Sequence, residues 1–136
     1  MKIGYCDMVG DLFHYGHVNY LKNAKSQCDY LIVGVHSDKT VESYKRTPVL
    51  NMEQRIKVIE CCKYIDKIIH EAPLTITEDY IKTNKIEEIY IPTNRTDEEI
   101  KLMCSYPYKM NIIKKINYTE EISTSYIINH ILKNYS

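Results

Sequence analysis

The sequence predicts an α/β domain, a parallel sheet of about five strands flanked by helices, and three observations carry that prediction. Short apolar runs of strand length alternate with segments of helical period along the whole chain. The 136 residues suffice for one hydrophobic core, and no linker, internal repeat or low-complexity tract divides them, so residues 1–136 are expected to form a single domain. Only four glycines occur, and Gly4, Gly10 and Gly16 all fall within the first 16 residues, which puts the closest backbone approach at the first strand-to-helix turn.

Taken in order, Ile3 to Cys6 reads as a short strand and Gly16 to Gln27 as a helix with Val18, Leu21 and Ala24 turned inward. Tyr30 to His36 reads as a buried strand. A polar segment covers Asp38 to Pro48, after which Asn51 is placed to cap a helix running to about Tyr64, and strand character resumes from Ile65 to His70. Thr77 to Asn84 fits a short helix, Glu88 to Ile91 a strand, Asp97 to Cys104 a helix and Met110 to Ile116 a further apolar strand. Ser123 to Lys133 closes the series as a helix on which Ile127, Ile128, Ile131 and Leu132 form an apolar stripe. Such alternation argues for a Rossmann-like parallel sheet, whose ligands are expected at the carboxyl ends of the strands.

Eighteen basic residues balance eighteen acidic ones, so no whole-molecule field favours nucleic acid or an anionic membrane, and any phosphate chemistry must be local. The stretch from Lys2 to Cys6 is too short, and too soon broken by Asp7, for a signal peptide, and no apolar run approaches membrane-spanning length. A soluble cytoplasmic protein is expected. The five cysteines, Cys6, Cys28, Cys61, Cys62 and Cys104, show no Cys-x-x-Cys spacing and read as free, mostly packed thiols.

The chemistry concentrates in the first turn. His14 and His17 lie three residues apart at a helix start, where both imidazoles can lean toward backbone N–H groups and the positive end of the helix dipole. Imidazoles so placed suit a phosphate and can stabilise charge that builds on a phosphoryl group during in-line displacement. Two other readings stand beside this one. Both histidines can simply cap or pack the helix, and a zinc site is the poorer alternative, because no third and fourth ligand of suitable spacing stands out among Cys28, His36 and His70.

Asp11-Leu12-Phe13-His14-Tyr15-Gly16-His17 resembles the Phe-Asp-x-x-His-x-Gly-His signature of the cytidylyltransferase family. Further matches follow in order: Cys28 to Asp38 is similar to the family's second strand, Tyr44 to Val49 to the loop with its active-site lysine, and Asn51 to Arg55 and Lys63 to Asp66 continue the pattern. Tyr118-Thr119-Glu120-Glu121-Ile122-Ser123-Thr124-Ser125 resembles the Arg-Thr-x-Gly-Ile-Ser-Thr-Thr motif that opens the last helix. Within the family, Tyr15, the strand ending Val35-His36-Ser37-Asp38, and Ala72 to Thr77 look most like the ethanolamine-phosphate and choline-phosphate enzymes, with the glycerol-3-phosphate enzymes next.

The resemblance implies a nucleotidyltransferase fold and a reaction in which a small phospho-alcohol, best phosphoethanolamine, joins CTP by displacement at the α-phosphate, releasing pyrophosphate, with magnesium accompanying the triphosphate. It implies His14, His17 and Lys45 as catalytic residues. Val9, Gly10, Asp11, Gly16, Arg55, Tyr118, Thr119, Ser123, Thr124 and Ser125 follow as nucleotide-binding residues. The segment Cys62 to Asp66 is similar to one near a family dimer contact, so a homodimer is expected. The choline enzymes' amphipathic tail has no counterpart before Ser136, so membrane-switched regulation is not expected.

Three departures sit together in the nucleotide half of the expected site. Met8-Val9-Gly10 stands where the family has Gly-x-Phe, Ile91-Pro92-Thr93-Asn94 where it has His-Gly-Asp-Asp, and Tyr118 and Glu121 where it has Arg and Gly. A carboxylate gained and an arginine lost beside a triphosphate weaken binding, unless Glu121 faces solvent or Tyr118 stacks on the base. A nucleotide-binding or regulatory protein without turnover is therefore the alternative to an active enzyme.

Overall fold

The computed structural model describes all residues from Met1 to Ser136. Five strands, β1 (Ile3–Met8), β2 (Tyr30–Val35), β3 (Lys67–His70), β4 (Glu88–Pro92) and β5 (Ile113–Ile116), form one all-parallel sheet in the order β3-β2-β1-β4-β5. The chain leaves β1 toward one edge through β2 and β3, then returns past it to β4 and β5. The reversal at β1 opens a crevice at the carboxyl ends of β1, β2 and β4, the usual ligand position in such sheets.

Alternate residues of each inner strand feed opposite faces. Tyr5, Ile32 and Ile89 pack on one face with Ile76, Ile81 and Ile100, under α4 (Glu78–Thr83) and α5 (Asp97–Met103). Cys6, Leu31, Val33 and Tyr90 pack on the other, against Tyr20, Leu21 and Ala24 of α1 (Tyr15–Lys25). Val35 meets Ile56 and Ile59 of α3 (Met52–Ile59). Gly34 lets β1 and the β3–α4 connection close in, since a methyl there would run into the Tyr5 hydroxyl and the Ala72 methyl. No helix is long and apolar enough to cross a membrane.

Several boundaries differ from the sequence reading. On α1 it is Tyr20, not Val18, that joins Leu21 and Ala24 in the core, and Val18 is only half-buried. The helix capped by Asn51 stops at Ile59 rather than near Tyr64. Its last turns tighten, with Cys61 N–H bonded to the Val58 carbonyl and Cys62 N–H to that of Ile59, and Asp66 then accepts from Leu31 N–H and Lys25 Nζ, each at 2.7 Å, drawing the chain to β2 so that β3 begins at Lys67. The polar segment after β2 contains α2 (Asp38–Glu42), whose start Ser37 caps by accepting from Thr40 N–H. Met110 ends a further short helix, α6 (Ser105–Lys109), and the turn to β5 uses Asn111 at φ +56°. On α7 (Thr124–Tyr135) Ile127 and Ile128 are half-buried, whereas Ile131 and Leu132 lie on the surface.

Candidate active site

The crevice is a cavity of about 620 Å³ floored by the strand ends and walled by the turn after β1, the loop after α2, the loop after β4 and the start of α7. Val9, Gly10, Asp11, His14, Gly16 and His17 contribute to it from the first turn, and Lys45 from the loop after α2. Tyr118, Thr119, Ser123, Thr124 and Ser125 line it from the approach to α7. Gly10 sits at φ +67°, a conformation other residues rarely adopt, and a Cβ there would lie 2.5 Å from Ile59.

The two histidines build the turn and leave their outer nitrogens available. His14 is the N-cap of α1, its Nδ1 accepting from Gly16 N–H at 3.1 Å, and His17 Nδ1 accepts in return from His14 N–H at 3.1 Å. An Nδ1 that accepts carries no proton, so each neutral ring holds its hydrogen on Nε2 and donates from there. The ring centroids are 3.9 Å apart, and the Phe13 ring stacks on His17 at 5.2 Å. Burial, then the neighbouring His14, pushes the His17 pKa down to about 4, and burial lowers that of His14. Both rings are therefore neutral Nε2–H donors near pH 7. Capping and phosphate binding use different atoms of the same side chains and do not exclude one another.

Asp11 is an organiser. It is buried, its carboxylate accepts from Val49 N–H at 2.7 Å and Leu50 N–H at 3.0 Å, and its carbonyl accepts from the Thr124 hydroxyl at 2.8 Å. The Lys45 loop, the first turn and α7 thus meet at one residue. Ser123 caps α7 by accepting from Tyr126 N–H at 3.0 Å, and Arg46 reaches across from the loop to Ser125 Oγ at 3.4 Å.

Arg55 departs from the expected nucleotide contact. It is fully buried and does not line the cavity. Its Nε donates to the Leu50 carbonyl, Nη1 to that of Val9, and Nη2 to both the His36 carbonyl and Asp38 Oδ1, over 2.6–3.0 Å. The Arg55 guanidinium ties the ends of β1 and β2 together and has no fork left for a phosphate. Its sequence position on a capped helix next to the turn carried no sign of this inward course.

The cavity also holds residues the sequence reading did not select. Asp7 stands at the carboxyl end of β1, with its Oδ2 3.4 Å from His36 Nε2, while His36 Nδ1 lies 2.6 Å from the Tyr44 hydroxyl. The Tyr20 hydroxyl and His36 Nε2 are buried without a hydrogen-bond partner, and both residues line the cavity. Apolar walls come from Leu74, Ile76, Ile91 and Met103. Arg95, just after β4, lines the same space. An acidic residue ending the central strand was a usable signal for Asp7, whereas nothing in the local sequence marks Arg95.

Glu121 and Thr93 lie outside the cavity lining; Tyr118 and Asn94 are part of it. The protein by itself builds no cage of three or more His, Cys, Asp or Glu side chains for a metal, and the Asp11 carboxylate is engaged by backbone N–H groups.

The cytidylyltransferase-like family model matches residues 10–130. The ethanolamine-phosphate cytidylyltransferase of Dictyostelium discoideum is 32% identical over 98% of this chain and 38% of its own length. The probable ethanolamine-phosphate cytidylyltransferase of Encephalitozoon cuniculi is 34% identical over 98% and 41%, and choline-phosphate cytidylyltransferase A of Rattus norvegicus 32% identical over 96% and 36%. The chain thus spans about two fifths of these relatives or less. Among solved structures, the lipopolysaccharide core biosynthesis protein of Thermoplasma volcanium superposes with a TM-score of 0.70 at 25% identity, over 88% of this chain and 97% of that one. Pantothenate synthetase of Thermus thermophilus shares the fold alone, with a TM-score of 0.60 at 13% identity over 93% of this chain and 61% of that one. With both histidines of the first turn facing the crevice and the family match extending from that turn into α7, the chain belongs to the cytidylyltransferase-like family.

Proposed function

We propose that the protein is an active cytidylyltransferase that joins CTP and phosphoethanolamine to give CDP-ethanolamine and pyrophosphate. The relatives named for this reaction support it, and one observation in the cavity carries the choice of alcohol: the Asp7 carboxylate lines it together with the unpartnered Tyr20 hydroxyl and the apolar Leu74, Ile76, Ile91 and Met103. A carboxylate beside apolar walls suits an ammonium group.

In this reading the triphosphate lies over the start of α1. The phosphomonoester oxygen attacks the α-phosphorus, a new P–O bond forms, and the bridging α–β bond breaks in line, pyrophosphate leaving with the bond's electron pair. The Nε2–H groups of His14 and His17 donate to oxygens whose charge grows in the transition state, and Lys45 adds a mobile cation. Tyr118 offers a ring for the base in place of an arginine. Magnesium arrives on the triphosphate, with phosphate and water oxygens as its main ligands. A cytoplasmic homodimer that pairs through the segment from Cys62 to Asp66 completes the reading.

The test is pyrophosphate release across four nucleoside triphosphates and a panel of phospho-alcohols, for the wild type and Asp7→Asn. CTP with phosphoethanolamine should be the preferred pair, and Asp7→Asn should raise the KM for phosphoethanolamine by about tenfold or more. Preference for an uncharged alcohol that is unaffected by Asp7→Asn would sink the choice of substrate.

A further inference from the structure

Lys45, Arg46 and Arg95 all line the cavity, and none of the molecule's six ion pairs includes any of them. Arg46 has found a neutral partner in Ser125. Arg95 is half-buried, its side chain makes no hydrogen bond, and Glu99, one helical turn on and also at the cavity, stays beyond ion-pairing distance. A guanidinium partly withdrawn from water without a counter-charge is costly unless a ligand supplies one.

Its backbone is held on both sides. Arg95 N–H bonds to the Pro92 carbonyl at 3.1 Å, Thr93 N–H bonds to the Ile116 carbonyl at 3.0 Å, and the next residue, Thr96, caps α5 by accepting from Glu99 N–H at 3.2 Å. The side chain therefore springs from a fixed stem. Lys45, in contrast, stands on an exposed loop, its Nζ 5.7 Å from the Tyr44 ring centroid.

The two cations reach the cavity from opposite sides of β1, Lys45 from beyond β2 and Arg95 from the end of β4. Both side chains line the same cavity, and in keeping with this the Lys45 pKa is lowered by partial desolvation and then by Arg95 and Arg46. Two like charges on one cavity, neither of them ion-paired, suit a dianion, and Asp7 at the end of β1 between their strands is left for the amine. The triphosphate has its own donors over α1 and at α7. The position left for a second phosphate is between Lys45 and Arg95, toward the end where Asp7 would take the amine.

We propose that Arg95 is a substrate-binding residue that clamps the phosphomonoester of the phospho-alcohol against Lys45, and so sets affinity for that substrate rather than for the nucleotide. This rests on the phospho-alcohol reading above. The loop after β4 carries Thr93 and Asn94 where the resemblance leads to acidic residues, which leaves Arg95 without a carboxylate there, while Tyr118 stands in place of an arginine across the cavity. The guanidinium fork suits a phosphate with two free oxygens facing it.

The experiment compares wild type, Arg95→Gln and Arg95→Lys in steady-state kinetics, with each substrate varied in turn, and in calorimetric titrations with phosphoethanolamine alone. Arg95→Gln should raise the KM for phosphoethanolamine and weaken its binding by about tenfold or more, and leave the KM for CTP within about twofold and kcat within about threefold. Arg95→Lys should recover part of the loss. A rise in the KM for CTP, or an unchanged KM for phosphoethanolamine, overturns the assignment while leaving the reaction intact. If the wild type binds phosphoethanolamine in an Arg95-dependent way but releases no pyrophosphate, the reaction fails and the Arg95 site stands. Absence of detectable binding by the wild type, with no turnover, removes both.

Discussion

The Tyr15 hydroxyl donates to Glu121 Oε1 at 3.4 Å, and this contact holds the Glu121 carboxylate on the outer side of the first turn, away from the cavity lining. Neighbouring contacts run the same way: Asn19 Nδ2 donates to Thr119 Oγ1 at 3.0 Å and Asn23 Nδ2 to the Asn117 carbonyl at 3.4 Å, so α1 and the approach to α7 are zipped along their exposed edges. The acidic residue that stands where the family motif has glycine is thereby kept out of the cavity lining.

Glu121→Gly should consequently do little. An exposed contact of this kind is screened by water and adds little to stability, and the KM for CTP should stay within about twofold of wild type. Urea unfolding and CTP kinetics on the variant check this; a large gain in CTP affinity would mean that the carboxylate does reach the nucleotide.

His17→Ala removes one Nε2–H donor and one acceptor of the capping box. The kinetic loss should dominate, about 10²–10³ in kcat with CTP affinity changed only modestly, against a cap loss of about 1 kcal/mol in stability. Single-turnover rates and calorimetry on the same sample separate these effects. Equal losses of rate and binding would show a collapsed site instead.

The low pKa of His17 also makes stability pH-dependent. The folded-state value of about 4 lies below the ordinary 6.5, so the unfolded chain takes up the proton first as pH falls. The stabilisation is fully present above about pH 6.5 and is lost on the way down to pH 4, by an amount on the order of 3 kcal/mol at 1.36 kcal/mol per pKa unit. Urea midpoints at pH 7 and pH 4.5 measure it, and His17→Asn should flatten the difference. An unchanged pH dependence in that variant would assign the effect elsewhere.

Arg55→Met should destabilise by about 3–5 kcal/mol, because it strands the Leu50, Val9 and His36 carbonyls and leaves Asp38 without its partner. Arg55→Lys should recover little, since an ammonium cannot span the fork. Denaturant unfolding gives the answer. A fold of undiminished stability with a sharply raised KM for CTP would return Arg55 to the nucleotide.

The sheet, its parallel direction and the placing of the ligand crevice at the first turn were all legible in the chain. Those features depend on local periodicity and on glycine placement, which short windows of sequence display. The cap at Asn51 was equally plain, because a capping side chain acts within three residues of itself. Boundaries that failed, such as the end of α3 and the late start of β5, were settled by Asp66 and Asn111 through contacts or conformations that no periodicity encodes.

The sequence by itself determined the fold class and drew attention to the two histidines of the first turn, for these follow from residue type and near-neighbour spacing, while Lys45 entered through the family resemblance alone. Only the tertiary structure decided which charges serve the cavity. It turned Arg55 inward to bridge carbonyls 5, 19 and 46 residues away in the chain, led Glu121 out to Tyr15, and set Asp7 and Arg95 at the ends of adjacent strands β1 and β4 facing one crevice. The direction of a long side chain depends on what surrounds it in space, and those surroundings come from residues far apart in the chain.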